Sequence, residues 1–160
     1  MGYLFDTNLF IRSKNEMPAD LWPSFWTRLS ELIRDGRIFT SVKVKEEIDR
    51  GNDELKEWLL VNASDDFYLP VDGEVLAKYG ETQNWAMGNP VFNQNALVDY
   101  ANAADAFLVA TAAAKNMTLV TYEVSSPACQ RRVKIPDACI ALGVRYCDLN
   151  TVFRELGVTI

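Results

Sequence analysis

The sequence alternates short apolar runs with segments of helical periodicity, and this alternation restricts the fold more than any other feature. The short runs lie at residues 3–5, 38–40, 119–121 and 144–146. Apolar residues in consecutive positions are typical of parallel strands that are buried on both faces. Because helical segments separate the runs, the sequence predicts an α/β fold of three layers, in which helices cover both faces of a central, mostly parallel sheet.

Capping residues and helix breakers mark the ends of the predicted helices. The first helix covers residues 21–33, and the pair Asp35-Gly36 stops it. Ser41 is the predicted N-cap of the next helix, which ends at residue 48, and Asn52 is the predicted N-cap of a helix over residues 53–61. Further helices are predicted over residues 73–86, 103–115, 136–143 and 148–157, and residues 67–71 are ambiguous.

Length and composition predict one globular domain over residues 1–160. Hydrophobic residues make up 49% of the chain and charged residues 24%, so it can bury a sizeable core. No apolar stretch reaches the roughly 18 residues that a membrane span needs, and the N-terminus has no basic leader. Three irregularly spaced cysteines suit a reducing compartment. We therefore expect a cytoplasmic protein.

The absence of histidine restricts the chemistry of the chain. It excludes Ser-His-Asp and Cys-His catalysis, and it excludes zinc sites that use histidine ligands. The net charge of −6 counts against a general nucleic-acid binder, which usually has a basic footprint. The same charge permits an acidic site that binds phosphates through cations.

Carboxylates lie at or near the carboxyl ends of the predicted strands, where open α/β sheets bind ligands. Asp6 directly follows the first strand, and Glu123 lies just beyond the strand at residues 119–121. Glu47 lies on the helix after the second strand, and Asp105 lies near the start of the helix that precedes residues 119–121. Clustered like charges raise one another's pKa, so such a cluster stays ionised when a cation neutralises it. Oxygen ligands without His or Cys select Mg²⁺ or Mn²⁺, and such a site is suited to phosphodiester hydrolysis.

Each acid also has a purely structural interpretation. Asp6 is suited to cap a turn or a helix, and Glu47 lies in a charged run that is typical of a solvated helix face. Asp105 suits the first turn of a helix, but its neighbours are apolar and an uncompensated carboxylate there is costly. Asp105 is therefore the strongest single candidate, and Glu123 is equally consistent with a loop acid and with a ligand.

Four segments resemble, in the same order, the motifs of the PIN domain, the ribonuclease fold of VapC-type toxins in toxin–antitoxin pairs. They are Leu4-Phe5-Asp6-Thr7-Asn8, Ser41 with Glu46-Glu47-Ile48, Ala104 through Ala112, and Leu119 through Glu123. The stretch from Lys134 to Val144 resembles a less-characterised branch of PIN-like proteins more than a typical VapC protein. The resemblance implies a three-layer PIN-like fold.

The resemblance also implies a role for each acid. Asp6, Glu47 and Asp105 correspond to metal-binding carboxylates, and Glu47 fits the family pattern better than Glu46, which lies about 100° away around a helix. The implied residues that orient these acids are Thr7, Asn8 and Thr121.

The fourth acidic position is open between two residues. Many PIN relatives have Asp at the position of Glu123. The resemblance implies that Glu123 either binds the metal through a water molecule or holds a second ion. Asp137 is the second candidate, and a first-turn acid after Pro136 is its structural interpretation.

The implied activity is that of a Mg²⁺- or Mn²⁺-dependent endoribonuclease. The ion would lower the pKa of a bound water, and the resulting hydroxide would attack an RNA phosphodiester in line. The basic residues that would contact the RNA backbone are Arg131, Arg132 and Lys134. Ordinary surface charge is an equal alternative for these three residues.

The implied partners are an RNA substrate, an antitoxin protein and a second copy of the chain in a homodimer. The aromatic residues Trp22, Phe25 and Trp26 form either an interface patch or part of the core. The competing function is that of a catalytically silent PIN-like scaffold that binds RNA or protein.

Overall fold

Five parallel strands form one sheet in the computed structural model, which describes residues 2–51 and 53–160. The strands are β1 (Tyr3–Phe5), β2 (Ile38–Ser41), β3 (Tyr68–Leu69), β4 (Thr118–Val120) and β5 (Tyr146–Cys147). Their order across the sheet is β3-β2-β1-β4-β5, and every neighbouring pair is parallel. The predicted α/β fold with a parallel central sheet is therefore confirmed.

Both faces of the sheet are buried. Leu4 and Phe5 are consecutive in β1, and so are Leu119 and Val120 in β4, and all four side chains are inaccessible to solvent. Because successive side chains of a strand point to opposite faces, helices must cover the sheet on both sides. The central strands β1 and β4 thus contribute most of their length to the core.

The helices of the described residues separate the strands, as the sequence predicts. They are α1 (Thr7–Glu16), α2 (Pro23–Arg34), α3 (Val42–Arg50), α4 (Glu54–Asn62), α5 (Gly73–Gly88), α6 (Gln94–Asn102), α7 (Ala104–Lys115), α8 (Ile135–Leu142) and α9 (Leu149–Leu156), with a 3-10 turn at Asp65–Phe67.

Two of these helices, α1 and α6, are absent from the sequence-based prediction, and one predicted boundary is wrong. The helix predicted from residue 21 begins at Pro23, because proline fits the first helical turn and leaves Leu21 outside, 72% exposed. The ambiguous residues 67–71 contain the end of the 3-10 turn and β3. The last strand, predicted at residues 144–146, is β5, shifted toward the C-terminus.

Side-chain caps fix several helix ends where the sequence predicts them. Ser41 accepts a hydrogen bond from the Lys43 N–H at the start of α3, and Asp148 accepts one from Thr151 at the start of α9. The predicted cap Asn52 lies outside the described residues. In the structure Asp53 caps α4 through the N–H groups of its first turn.

The aromatic residues of α2 belong mainly to the core. Phe25 and Trp26 are buried, whereas Trp22 is exposed, so the three do not form one surface patch. Trp26 packs edge-on against Trp58 of α4, and Phe25 contacts Phe153 of α9. None of the helices within the described residues has both the length and the apolar character required to cross a membrane.

The helix α7 is the most deeply buried helix of the candidate site. Its alanine-rich sequence favours helix formation and leaves room for close packing. Tyr79 of α5 stacks on Phe107 of α7 with 4.4 Å between ring centroids. This packing fixes the first turn of α7, which carries Asp105, close to the sheet.

Candidate functional site

The carboxyl ends of the strands meet at one edge of the sheet. Phe5 lies opposite Val120 in the parallel register, so Asp6 and Thr121 are the next residues on adjacent strands. The Asp6 N–H donates to the Val120 carbonyl at 3.2 Å, and the Thr121 N–H donates to the Cys147 carbonyl at 3.0 Å. These backbone bonds place the two side chains side by side.

Asp6 both begins a helix and leaves one oxygen free. Its Oδ1 accepts a hydrogen bond of 2.9 Å from the Leu9 N–H and so caps α1. Its Oδ2 is buried and has no hydrogen-bond partner among the described residues. Burial raises the pKa of this carboxyl, and the nearby Thr121 hydroxyl opposes the rise without making a well-aligned hydrogen bond.

Glu47 connects three helices at the edge of the site. Its Oε2 accepts a hydrogen bond of 3.0 Å from the Thr7 hydroxyl of α1, and its Oε1 accepts one of 3.0 Å from the Ala104 N–H at the start of α7. The helix α7 has no side-chain cap of its own, so Glu47 supplies an acceptor for one of its free N–H groups. Glu46 is exposed and pairs with Lys43 at 3.5 Å, away from these contacts.

Asp105 lies in the first turn of α7, next to this contact. Its side chain is 16% exposed. Burial raises the pKa of Asp105 to about 6, the negative charges of Asp6 and Glu47 add to the rise, and Arg132 opposes it. The structure therefore brings Asp105 into the electrostatic range of both acids.

Glu123 follows β4 and points into the same region. Its side chain is 10% exposed, and neither carboxylate oxygen has a hydrogen-bond partner among the described residues. Arg132 lies 3.4 Å from Oε1, which is close enough for an ion pair although the angles do not make a hydrogen bond. Burial raises the pKa of Glu123 to about 7, Arg132 lowers it, and the charges of Asp105 and Asp6 raise it.

The three residues expected to orient the acids have different positions. Thr7 donates to Glu47, as described, and the buried Thr121 accepts a hydrogen bond of 3.0 Å from the Glu123 N–H. Asn8 is exposed, and its side chain lines an open groove of about 390 Å³ that Glu123 also lines. Asn8 therefore faces the approach to the site rather than its interior.

Asp137, the other candidate for the fourth acidic position, is bound to a loop. Its Oδ1 accepts a hydrogen bond from the Ser125 hydroxyl at 2.5 Å, and its Oδ2 accepts one from the Ser126 N–H at 2.9 Å. Both oxygens are thus occupied by the segment between β4 and α8. Neither oxygen of Glu123 accepts a hydrogen bond from a described residue, so Glu123 is the acid of this pair that remains available for a ligand.

The three basic residues of the same segment differ in their contacts. Arg131 and Arg132 are exposed and line a groove of about 250 Å³ that leads to Asp105. Arg132 approaches Asp105 at 3.5 Å as well as Glu123 at 3.4 Å. Lys134 is half-buried at the start of α8. The sequence gives no signal of the Arg132 contacts, because they depend on how the loop folds back.

The donor set suits a hard cation, but the acids are not arranged as a ready metal cage. Within residues 2–51 and 53–160, no group of three or more His, Cys, Asp or Glu meets the geometry of metal ligation. The buried oxygens of Asp6 and Glu123 that accept no hydrogen bond from a described residue are nevertheless suitable ligands for a divalent ion. Burying such groups without a partner is costly, so a cation fits the chemistry of this edge.

A comparison with models of protein families identifies the family of this chain. The model of the family described as "Domain of unknown function (DUF4411)" matches residues 3–160. The chain belongs to the DUF4411 family. A comparison with curated proteins gives no match for this DUF4411 chain.

Two solved structures share the fold of the DUF4411 chain. One is VapBC2 from Rickettsia felis bound to a DNA fragment from their promoter, with 18% identity, a TM-score of 0.59 and coverage of 92% of this chain and 98% of that chain. The other is FitAcB from Neisseria gonorrhoeae, with 21% identity, a TM-score of 0.54 and coverage of 90% and 95%. These similarities confirm the PIN-like fold that the sequence motifs predicted.

Proposed function

We propose that this protein is a Mg²⁺- or Mn²⁺-dependent endoribonuclease and the toxin of a toxin–antitoxin pair. The observation that carries the proposal is the group of buried carboxylate oxygens at the sheet edge, on Asp6 and Glu123, that accept no hydrogen bond from any residue the structure describes. Asp105 and Glu47 lie beside them, and the negative charges of Asp6 and Glu47 raise the pKa of Asp105. A fold retains such an expensive arrangement when it binds a cation there.

Three of the acids would bind the ion directly, and the fourth would hold them in position. Asp6, Asp105 and Glu123 would hold the ion, because each presents a carboxylate to the same edge. Glu47 already accepts a hydrogen bond at each oxygen, from Thr7 and from Ala104, so it would position α7 and therefore Asp105. It would bind the ion only through an oxygen that also accepts one of these hydrogen bonds. When bound, a divalent cation activates water and stabilises negative charge on a phosphoryl group.

The surroundings of the acids favour a long, negatively charged substrate. Two open grooves reach the site from different sides, one lined by Asn8 and Glu123 and the other by Arg131 and Asp105. Arg131 is positioned to bind a backbone phosphate, and the exposed Asn8 amide can donate to a phosphate or a sugar hydroxyl. A single RNA strand that crosses the edge would contact both grooves.

The partner proposals rest on the structural neighbours. Both are toxin–antitoxin complexes, and the fold of this chain matches them over most of its length. We therefore expect an antitoxin partner that covers the acidic edge, and a cytoplasmic location in which RNA is accessible. A homodimer is a further proposal that the size of the purified protein in solution would test.

The test of the proposed activity is the substitution Asp105→Asn, with Asp99→Asn as its matched control. Asp99 is exposed and lines the same groove, so its substitution removes the same charge without touching the cluster. Asp105→Asn is expected to reduce Mn²⁺-dependent cleavage of single-stranded RNA by about a hundredfold or more, the scale on which loss of a catalytic electrostatic group acts. Asp99→Asn is expected to retain activity near that of the wild type.

Metal removal completes this test. Cleavage by the wild type should stop in EDTA and return when Mg²⁺ or Mn²⁺ is added in excess, and Zn²⁺ should be unnecessary. Cleavage that continues in EDTA would reject the metal-dependent mechanism. A wild type that binds RNA but does not cleave it with either ion would instead favour the scaffold function.

A further inference from the structure

Arg132 occupies a position between two acids of the candidate site. One of its terminal nitrogens, Nη2, lies 3.5 Å from Asp105 Oδ2 and 3.4 Å from Glu123 Oε1. The Arg132 side chain is 47% exposed, whereas both acids are largely buried. A positive group thus reaches from the solvent side toward carboxylates that otherwise have little charge compensation.

The contacts of Arg132 are loose compared with those of another arginine in the same protein. Arg145 binds Glu155 in a bidentate manner, with nitrogen–oxygen distances of 3.0 and 2.6 Å. Short paired contacts of this kind are typical of a structural arginine–carboxylate clamp. Arg132 uses one nitrogen for two acids. It donates a long hydrogen bond of 3.5 Å to Asp105 and forms an ion pair of 3.4 Å with Glu123, so its contacts are weaker than the paired hydrogen bonds of Arg145.

The backbone around Arg132 is anchored, so its side chain can move independently of the loop. Asp137 holds Ser125 and Ser126 at the start of the segment, and the Gln130 carbonyl accepts a hydrogen bond of 3.0 Å from the Asn93 N–H. Val133, the next residue after Arg132, is buried. The groove of about 250 Å³ that Arg132 lines together with Asp99 and Asp105 gives the guanidinium open space beside its present contacts.

We infer that Arg132 is a resident counter-ion that competes with a divalent cation for Asp105 and Glu123. This inference rests on the proposed function, since it assumes that the acids bind an ion. An ion that binds the oxygens contacted by Arg132 competes with the guanidinium, because two positive groups that share carboxylate oxygens repel each other. Arg132 therefore lowers the affinity of the site for metal and stabilises the metal-free protein.

The inference predicts that Arg132→Gln binds Mn²⁺ more tightly than the wild type. Arg131→Gln is the matched control, because it removes the same charge from the adjacent residue. In the part of the chain that the structure describes, Arg131 has no ion pair with the acids. Titration of each intact protein with Mn²⁺, followed by calorimetry or by the spin-resonance signal of free Mn²⁺, gives the affinity without any measurement of cleavage.

The expected increase for Arg132→Gln is about tenfold, which corresponds to a change in binding free energy of about 1.4 kcal/mol. Arg131→Gln should change the affinity by less than about threefold, since a distant exposed charge is screened. Arg132→Lys keeps the charge and should resemble the wild type more than Arg132→Gln does, which also provides a result if the glutamine variant folds poorly.

The outcomes separate the inference from the proposed function. Equal Mn²⁺ affinity in the wild type and Arg132→Gln, or weaker binding in the variant, overturns the role of Arg132 while the metal site stands. An equal increase in Arg131→Gln also overturns it, because the effect is then one of net charge. If neither the wild type nor any variant binds Mn²⁺, the proposed metal site fails and the inference fails with it.

Discussion

At the scale of single residues, the candidate site is defined by carboxyl groups whose protonation the fold has changed. Glu123 and Asp105 have pKa values of about 7 and about 6, raised mainly by burial. The chain has no histidine, so no imidazole titrates in the same range. Carboxyl groups whose pKa burial raises, Asp6 among them, should therefore account for much of the side-chain protonation change near neutral pH.

The stability of the metal-free protein should fall as the pH rises through this window. The folded protein keeps protons on Asp105 and Glu123 up to about pH 6 and 7, whereas the unfolded chain releases them near the ordinary pKa values of these side chains, 3.8 and 4.5. Because the folded state binds more protons, the free energy of unfolding decreases with rising pH until both groups are ionised. With these pKa values the expected decrease is on the order of 4 kcal/mol between about pH 5 and 8.

Urea unfolding in EDTA at a series of pH values measures this dependence. Glu123→Gln cannot ionise at this position, so its stability should vary less with pH than that of the wild type. Saturating Mn²⁺ should abolish most of this decrease, since a bound ion keeps both carboxyl groups ionised in the folded state. Stability of the metal-free wild type that rises over the same range would contradict the assigned pKa shifts.

At the scale of secondary-structure elements, Asp6 serves both a helix and the site. Its Oδ1 caps α1 through the Leu9 N–H, and its buried Oδ2 remains free for an ion. The capping interpretation of this residue is confirmed at Oδ1, and the proposed metal ligation would use Oδ2. A pair of substitutions can separate the two roles.

Asp6→Asn should preserve the fold and lose the metal, whereas Asp6→Ala should lose both the cap and the metal ligand. Asparagine is as good an N-cap as aspartate and carries no charge to bury, so Asp6→Asn is expected to be at least as stable as the metal-free wild type near neutral pH. Asp6→Ala is expected to be less stable than Asp6→Asn by about 1 kcal/mol. Chemical denaturation and Mn²⁺ titration of both variants give the two readouts, and equal stability of the variants would contradict the capping role.

The sequence predicts most elements of this fold because their signals are local. The strand at Tyr3–Phe5, the cap Ser41, and the stop at Gly143, which has a φ of 69°, all depend on residues within a few positions of one another. The helix α1 escapes prediction because it begins directly at the end of β1 and contains asparagine and serine, which are weak helix formers. Burial of its residues Leu9 and Phe10 in the core stabilises it instead.

The site is predictable in part for the same reason. The positions of Asp6 and Glu123 follow from the strand ends, since parallel strands finish at one edge. The contacts of Glu47 with Ala104 and of Arg132 with Asp105 join residues that are far apart in sequence, and no spacing rule reveals them. Tertiary packing of α3 against α7 and the path of the loop before α8 determine these contacts.

At the scale of the whole molecule, the distribution of charge limits how RNA can bind. The net charge is −6, and the basic residues near the site are Arg131, Arg132 and Lys134. Two other basic residues near the end of β1 are already paired, Arg12 with Glu16 at 2.8 Å and Lys14 with Asp53 at 3.0 Å. An RNA strand at this edge would therefore meet few basic side chains that are available to neutralise its phosphates.

The affinity for RNA should accordingly depend only weakly on monovalent salt. For a single strand, each neutralised phosphate contributes about −0.7 to the slope of log K against log salt concentration, so three contacts give a slope of about −2. Asp105→Asn is suitable for the measurement in Mg²⁺, since it should bind RNA without cleaving it. Adding Arg131→Gln should bring the slope closer to zero by about 0.7, whereas Lys115→Gln should not change it, because Lys115 pairs with Asp72 at the opposite end of α7. A slope steeper than about −5 would mean that RNA lies on a broad basic surface elsewhere on the molecule, and it would contradict the placement of the substrate at the acidic edge.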